Sequence, residues 1–359
     1  MHKPRDPKQR DASQYGSGHD DGLVPLVPLD VAKLDSIDAL LGAMANTAFG
    51  GRRLGEAADA LEAMVRDEDC FRVITISGAM TIAKQGLVLC EMIDRGWVQA
   101  IVATGALMTH GFVEGAGMLH FKHRQSMRDE ELFEKGYNRI YDTIELEKNL
   151  DDAQAMLDLV LSQIEPGTLL SSHTLLAKMG ELLDRNDVGR AIARSAVRMQ
   201  VPIYVPAFTD SELGLDLAIY NRRLRAEGKP AFGFDPFLDL DDFADHIRQH
   251  ETLGIFTIGG GVPRNWAQQV GPYLEISADR LGLDEPIRRY RYAIRICPEP
   301  EHWGGLSGCS YSEGVSWGKF VPESQGGRHV EVHADATIAW PIIVRAVLER
   351  LDGDPKRPD

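Results

Sequence analysis

Residues 254–265 read GIFTIGGGVPRN, and this stretch decides the fold. An apolar run rich in β-branched residues (Gly254–Ile258) leads into three glycines, and Asn265–Val270 after them has a helical composition. Strand, glycine turn and helix in this order are typical of α/β proteins. The glycines would let backbone N–H groups approach a phosphate at a helix N-terminus. Because the run is not G-x-G-x-x-G, a simple tight turn remains an open interpretation.

Other parts of the chain repeat this alternation. The remaining apolar runs are Arg72–Ser77, Val98–Thr104, Val201–Pro206 and Tyr292–Ile296, and the amphipathic stretches include Thr81–Asp94, Asp151–Ile164, Val188–Met199 and a terminal helix, Ala336–Leu351. Strands buried on both faces between helices indicate an α/β fold with a Rossmann-like, largely parallel sheet flanked by helices. Several strands end in small or polar residues, at the sheet edge where ligands collect in such folds.

The N-terminal region differs from the rest. Residues 1–28 are rich in charge, glycine, serine and proline, which predicts a flexible arm. Val31–Arg66 has helical periodicity and predicts two N-terminal helices broken near Phe49-Gly50-Gly51. We find no linker after the arm, so residues 29–359 are predicted to form a single domain.

Composition narrows the function. The chain has 39 basic and 54 acidic residues, a net charge of −15, which argues against nucleic-acid binding through phosphates. An acidic surface suits a cationic substrate, although solubility alone also explains it. No apolar run approaches the ~20 residues of a membrane span, and the polar N-terminus has no signal core, so we expect a cytoplasmic protein without membrane contact. Four widely spaced cysteines predict reduced thiols.

Two local patterns could carry chemistry. Ser316-Trp317-Gly318-Lys319 places a lysine beside an indole. A desolvated lysine loses its proton more easily and can form an imine, although most lysines near a tryptophan are surface residues. Asp210 and Asp335 follow apolar runs, where a carboxylate could bind ribose hydroxyls or cap a helix.

Histidines give a weaker signal. His110 ends an apolar run and could titrate near neutral pH, or be a structural histidine. His120-Phe121-Lys122-His123 has H-x-x-H spacing. No third ligand is evident in the sequence, so we expect no metal site.

The joint order of several motifs resembles the deoxyhypusine synthase family. The motifs are ISGAMT (76–81), IVATGALMTH (101–110), VPAFTDSELGLD (205–216), FTIGGGVPRN (256–265), GGLSGCSYSEGVSWGK (304–319) and VHADATIAWP (332–341). The resemblance extends from Leu34 to Leu351, and the EGVSWGK block is its most specific part.

The resemblance implies an NAD-dependent transferase that moves the aminobutyl group of spermidine through a lysine imine. The match makes Lys319 the nucleophile, and it makes Glu313 and Trp317 polyamine-binding residues. The residues it assigns to NAD are Ser77, Gly78, Thr104, Gly105, Asp210, Gly260, Asp335 and Ala336. Asp216 lies one residue from the position of an acidic polyamine ligand in the family.

The chain departs from the family around the polyamine pocket. Met108-Thr109-His110 replaces consecutive glutamates, Asn265 replaces a histidine, and residues 303–306 replace an acidic segment. We therefore place His110 and Asn265 among the substrate-binding residues. The acceptor stays open between a protein lysine, as in deoxyhypusine synthases, and a small diamine, as in homospermidine synthases.

Other interpretations keep the fold and change the function. They are another NAD-dependent amine oxidation, hydrolysis of a guanidino compound, or a non-catalytic homologue, and the intact SWGK sequence argues against each. The resemblance further implies a homotetramer with active sites at subunit interfaces. By the same resemblance, the arm corresponds in position to a segment that covers the active-site entrance in relatives.

Overall fold

The computed structural model describes residue 10, residues 12–187 and residues 189–353. Its strands are β1 (Cys70–Ile76), β2 (Ala100–Ala103), β3 (Phe121–Lys122), β4 (Tyr137–Ile140), β5 (Thr143–Leu146), β6 (Leu169–Leu170), β7 (Ile203–Tyr204), β8 (Gly233–Phe234), β9 (Thr252–Ile258), β10 (Tyr290–Ile296) and β11 (Arg328–Val332). Its α-helices are α1 (Ile37–Ala45), α2 (Phe49–Arg66), α3 (Gly86–Asp94), α4 (Gly105–Gly115), α5 (Asp129–Glu134), α6 (Glu147–Ser162), α7 (Ser172–Asn186), α8 (Ile192–Arg198), α9 (Glu212–Ala226), α10 (Pro236–Arg248), α11 (Gly261–Gln268), α12 (Val270–Leu281), α13 (Tyr311–Ser316) and α14 (Ala336–Asp352).

Six strands form one parallel sheet in the order β11-β10-β9-β1-β2-β7. The predicted α/β fold with a parallel sheet flanked by helices is therefore confirmed. From β1 the chain adds β2 and β7 on one side, and β9, β10 and β11 on the other. The direction of strand addition thus reverses between β1 and β9. In open α/β sheets, ligands bind in the crevice at such a reversal.

The sheet separates two hydrophobic cores, and β1 shows why. Ile74 and Ile76 contribute to one cluster of buried residues, while Phe71 and Val73 contribute to the other. Side chains alternate across a strand, so a strand covered by helices on both faces has to be apolar at both sets of positions. This burial explains the continuous apolar runs in the sequence.

Several predicted boundaries moved for local reasons. The break between α1 and α2 lies at residues 46–48 and not at the glycines, which form the first turn of α2. Asn46 and Thr47 end α1, since their side chains donate to the carbonyls of Gly42 and Met44. Helix α3 begins at Gly86, five residues later than expected, after a turn in which Lys84 has a positive φ of 61°.

Other elements were not predicted. Strand β11, the sixth of the main sheet, has an alternating sequence, RHVEV, without a continuous apolar run. A small antiparallel sheet has the order β3-β5-β4, and β6 pairs with β8. These strands are short, and β3 and β4 have exposed residues, so hydrophobic periodicity does not reveal them.

The predicted arm lies partly outside the described residues, namely residues 1–9 and 11. In its described part, Leu23, Val24 and Leu26 are exposed. The arm reaches the fold at Val27, whose N–H donates to the Asn46 carbonyl. No helix in the described residues is long and apolar enough to cross a membrane. All four cysteines are free thiols, as predicted.

Candidate active site

Backbone hydrogen bonds hold Lys319 beside the first residue of β10 in the main sheet. Its N–H donates to the Gly314 carbonyl, and its own carbonyl accepts from Tyr290 of β10. Gly318 before it has a φ of 71°, a left-handed conformation that glycine adopts without strain. The short helix α13 precedes this turn and is capped by the Ser310 side chain. The SWGK sequence thus folds into a tight turn that fixes the direction of the lysine side chain.

The lysine is buried rather than solvated. Lys319 is 8% exposed, and its Nζ donates to Asn265 Oδ1 at 3.1 Å. The same Nζ lies 6.0 Å from the centre of the Trp317 ring. Burial lowers the pKa of Lys319; Arg264 lowers it further, while Cys309 and Glu313 oppose the change. The side chain therefore has the surroundings of an amine that releases its proton.

Lys319, the predicted nucleophile, lines a cavity of about 720 Å³ together with three predicted substrate-binding residues, Asn265, Glu313 and Trp317. The cavity also contains Glu301, which sequence reasoning missed. The only signal for it was the loss of the family's acidic segment at residues 303–306, which begins two positions further on. Apolar side chains complete the wall, and they include Leu240, Trp266, Pro272, Tyr273, Ile276 and Leu306. The cavity therefore combines carboxylates, an exposed indole and apolar surface.

Two buried arginines support the loop that forms one wall of this cavity, residues 304–310. Arg264 donates to the carbonyls of Leu306 (3.1 Å) and Cys309 (2.7 Å). Arg295 donates to the carbonyls of Ser307 and Cys309, and to Glu331 at 2.7 Å. Since both guanidinium groups are only about 1% exposed, each depends on these acceptors, and the loop has little freedom to move.

A second group of predicted residues meets at the reversal of strand order. Ser77 follows β1, and its Oγ accepts from the N–H of Gly260, which follows β9, at 2.9 Å. Thr104 follows β2, and its Oγ1 donates to the Gly78 carbonyl at 2.7 Å. Four of the residues assigned to the cofactor thus lie in one hydrogen-bonded group at the carboxyl edge of the sheet.

The backbone at this crevice suits the phosphates of a dinucleotide. Gly78 and Gly261 have φ values of 70° and 63°, and a Cβ at Gly261 would meet nothing within 4 Å. Helices α4 and α11 begin here, at Gly105 and Gly261; the Thr104 side chain caps α4 by accepting from the Leu107 N–H, and no side chain caps α11. Open backbone beside two helix N-termini favours an anion. The residues present therefore fit a phosphate-bearing cofactor such as NAD.

Comparisons with known proteins agree with this geometry. The family described as deoxyhypusine synthase matches residues 39–347. The chain is 36% identical over 328 residues to a protein named probable deoxyhypusine synthase 2 from Methanosarcina acetivorans, covering 91% of this chain and 90% of that protein. The chain belongs to the deoxyhypusine synthase family.

The chain is also similar to one further curated protein and to one solved structure. A deoxyhypusine synthase-like protein of Chlorobaculum parvum is 31% identical over 320 residues, covering 88% of this chain and 87% of that protein. A crystal structure of a protein assigned as a deoxyhypusine synthase in Entamoeba histolytica superposes with a TM-score of 0.58 at 14% identity, covering 90% of this chain and 97% of that one. At that identity the likeness concerns the fold alone.

The remaining predicted cofactor residues of this deoxyhypusine synthase family member lie at other strand ends. Asp335 caps α14, since its Oδ1 accepts from the N–H and hydroxyl of Thr337. Ala336 is the first residue of that helix. Asp210 is exposed in the loop after β7, and its carbonyl approaches Gly105. The N-cap interpretation of Asp335 is therefore correct, and it leaves the second carboxylate oxygen for a ligand.

Two predicted substrate residues do not line the Lys319 cavity of this family member. Asp216 lies on α9, where burial raises its pKa to about 6, with further contributions from the carboxylates of Asp158 and Glu212. His110 lies inside α4 and is buried beside Glu145 and His120. Their roles in substrate binding stay predictions, which would require a neighbouring subunit to bring them to a lysine.

Proposed function

We propose that the protein transfers an aminobutyl group from spermidine, or a related polyamine, to an amine acceptor, with Lys319 as the covalent carrier and NAD as cofactor. The observation that carries the proposal is the buried Lys319, whose pKa is lowered and which lines a cavity with two carboxylates. Membership of the deoxyhypusine synthase family supports the reaction class. The NAD dependence and the donor are parts of the proposal.

The cavity suits a polyamine in both charge and shape. The carboxylates of Glu301 and Glu313 would hold the ammonium groups of the donor, each a charge-assisted hydrogen bond. Trp317 is 66% exposed, so its ring face is free to meet a cation. Tyr273 and Ile276 would contact the methylene groups between the nitrogens.

The chemistry requires two amine exchanges at one carbon. Bound NAD would accept a hydride from the donor and return it at the end. Loss of the hydride leaves the donor carbon–nitrogen bond as a protonated imine. The free amine of Lys319 adds to its carbon, one proton passes from the lysine nitrogen to the donor nitrogen, and 1,3-diaminopropane leaves as the bond between that nitrogen and the carbon breaks. The four-carbon unit is then an imine of Lys319. The acceptor amine displaces Lys319 in the same way, and the new imine is reduced.

Asn265 has a defined part in this scheme. Its Oδ1 accepts one N–H of Lys319, which directs the nitrogen lone pair without stabilising the ammonium form as a carboxylate would. The residues proposed to hold NAD are Ser77, Gly78, Thr104, Gly105, Asp210, Gly260, Asp335 and Ala336. Asp216 is retained as a proposed polyamine ligand from a neighbouring copy.

The acceptor is either a small diamine such as putrescine or a lysine of a protein. Product analysis by mass spectrometry distinguishes them. With spermidine, NAD and putrescine, a small-amine acceptor gives homospermidine, whereas a protein acceptor leaves putrescine unused. The proposal further includes a homotetramer with active sites at subunit interfaces, in the cytoplasm.

Replacement of the lysine tests the proposed carrier. Lys319→Arg keeps the positive charge but cannot offer a free amine near neutral pH, since the pKa of arginine exceeds ~12. It should abolish the release of 1,3-diaminopropane from spermidine. Lys178→Arg, at a lysine whose side chain is 50% exposed, is the matched control and should keep full activity. Release at an unchanged rate by Lys319→Arg would refute the proposal.

A further inference from the structure

A buried cluster of two histidines and a glutamate lies apart from the Lys319 cavity. His110 comes from α4, His120 from the segment before β3, and Glu145 from β5. Their side chains are 8%, 1% and 1% exposed. One ligand atom of each, namely His110 Nδ1, His120 Nε2 and a Glu145 oxygen, lies within 4.8 Å of the others. Three metal-ligating side chains therefore converge in the interior.

The carboxylate in this cluster is held in one orientation. Glu145 Oε1 accepts from the Leu146 N–H (2.9 Å) and from Asn149 Nδ2 (2.7 Å). Asn149 is itself fixed, because it also donates to the Leu119 carbonyl. These bonds leave Oε2 directed at the two imidazoles, 3.1 Å from His110 Nδ1 and 2.5 Å from His120 Nε2. Such outer partners are typical of metal-ligating carboxylates.

The contact between His120 and Glu145 joins two buried atoms. His120 Nε2 lies 2.5 Å from Glu145 Oε2, which is a hydrogen-bonding distance, and both side chains are 1% exposed. Because Lys84 donates to the other ring nitrogen, the neutral imidazole carries its proton on Nε2. Ligand atoms around a tetrahedral zinc ion lie about 3.3 Å apart at bond lengths of about 2.0–2.1 Å, so a bound metal would replace that proton and move the two atoms apart.

We propose that His110 Nδ1, His120 Nε2 and Glu145 Oε2 bind one divalent transition-metal ion of the zinc class. Two imidazoles and one carboxylate form a common donor set for zinc, with a fourth position open to water. The ion would neutralise the buried carboxylate. It would also join α4, which begins at the proposed cofactor crevice, to the small antiparallel sheet. This inference does not depend on the proposed transferase activity.

Lys84 makes the proposal specific. Its Nζ lies 2.7 Å from His120 Nδ1, the ring nitrogen that faces away from Glu145. A histidine that binds a metal through Nε2 keeps its proton on Nδ1, and an N–H there repels an ammonium group. Lys84 therefore has to turn away when the metal binds, and the Glu114 carboxylate, 3.4 Å from Nζ, can receive it. The lysine thus competes with the metal.

Metal content and unfolding temperature of the full chain test the inference. Protein stripped with a chelator should take up about one Zn²⁺ per chain, and saturation should raise Tm by about 3–6 °C. Co²⁺ in place of Zn²⁺ should give the visible absorption of a four-coordinate site. Lys84→Met, which changes a half-exposed side chain, should bind Zn²⁺ about tenfold more tightly.

Variants of the ligands and of a neighbouring histidine complete the test. Glu145→Gln keeps the shape of the side chain and should lose the bound zinc. His123→Ala, outside the cluster, should keep it. Zinc uptake far below one ion per chain by the stripped protein would overturn the site. Equal affinity of the parent chain and Lys84→Met would also overturn it, even where Glu145→Gln failed to fold.

Discussion

A lysine can attack an imine carbon only as the free amine, so its surroundings decide whether it reacts near neutral pH. In water the pKa of lysine is about 10.4. Burial lowers the pKa of Lys319, and the group that accepts its hydrogen bond is the neutral Asn265. The Glu313 carboxylate opposes this effect. Reactivity at position 319 therefore depends on the absence of a carboxylate in direct contact with Nζ.

A carboxylate at position 265 tests this dependence. Asn265→Asp places a negative charge 3.1 Å from Nζ, which stabilises the ammonium form. The pH at which imine formation reaches half its maximum should rise by about one unit. Trapping rates between pH 6 and 10 measure that midpoint. Asn186→Asp, at an exposed residue outside the cavity, is the control and should leave this midpoint unchanged. An unchanged midpoint in Asn265→Asp as well would show that burial alone sets the pKa of Lys319.

The raised pKa of Asp216 predicts that the stability of the folded protein depends on pH. Its folded-state pKa of about 6 lies above the ordinary value of about 3.9, so ionisation disfavours the folded state. Stability from this group is complete below about pH 4 and is lost as the pH rises through 6. Asp216→Asn should raise Tm by about 1–3 °C at pH 8 and have little effect at pH 4. Asp35→Asn is the exposed control. A Tm gain that is equal at both pH values would contradict the assignment.

Single residues were predictable where a local motif carries them. Lys319, Trp317 and Glu313 share one short block, and the structure brings them into one cavity with Asn265. Glu301 belongs to no motif and reaches the cavity only through the path of its loop. His120 was paired in sequence with His123, but the fold directs it to His110 and Glu145. Contacts between distant segments depend on the tertiary fold, which spacing does not encode.

At the scale of elements, the loop of residues 304–310 connects the two halves of the candidate site. The buried side chains of Arg264 and Arg295 donate hydrogen bonds to carbonyl groups of this loop. Gly260 of the cofactor crevice packs against Ser307 within it. The sequence GIFTIGGGVPRN thus contributes twice, since its glycines border the crevice and its Arg264 and Asn265 reach the lysine cavity.

Gly260→Ala tests this connection. A Cβ at residue 260 would lie 2.5 Å from Ser307 Cα, and because the obstacle is backbone, the loop has to move. We expect a loss of about 1–3 kcal/mol in the free energy of unfolding, and at least about tenfold slower imine formation at Lys319. Gly42→Ala in α1 meets nothing within 4 Å and should stabilise the chain by up to about 1 kcal/mol. An unchanged rate of imine formation in Gly260→Ala would show that the position of this loop does not affect the reactivity of Lys319.

Elements were predictable in proportion to their burial. The five strands with continuous apolar runs were predicted because each is covered on both faces, although their observed ends differ from the predicted ones. Strand β11 was not predicted because Arg328, His329 and Glu331 interrupt its apolar positions. Glu331 is polar for a reason visible only in the structure, since it accepts from buried Arg295 and from the N–H of Tyr311.

For the whole molecule, exposed apolar residues at the candidate site and elsewhere in the chain favour an assembly. Trp317 and Trp303 are 66% and 71% exposed, and Leu23 and Val24 of the arm are also exposed. Burial of such surface between copies is a large source of association free energy. The proposed homotetramer should be found by light scattering coupled to size-exclusion chromatography. A stable, fully active monomer would contradict the proposal that active sites lie at subunit interfaces.

The covalent carrier is the central claim, and reductive trapping measures it directly. The protein is incubated with spermidine and NAD, reduced with borohydride, digested and mapped by mass spectrometry. The account predicts an aminobutyl adduct on the peptide that contains Lys319, dependent on both NAD and spermidine and absent from Lys319→Arg. An adduct on another lysine, or none at any pH from about 7 to 10, would contradict it.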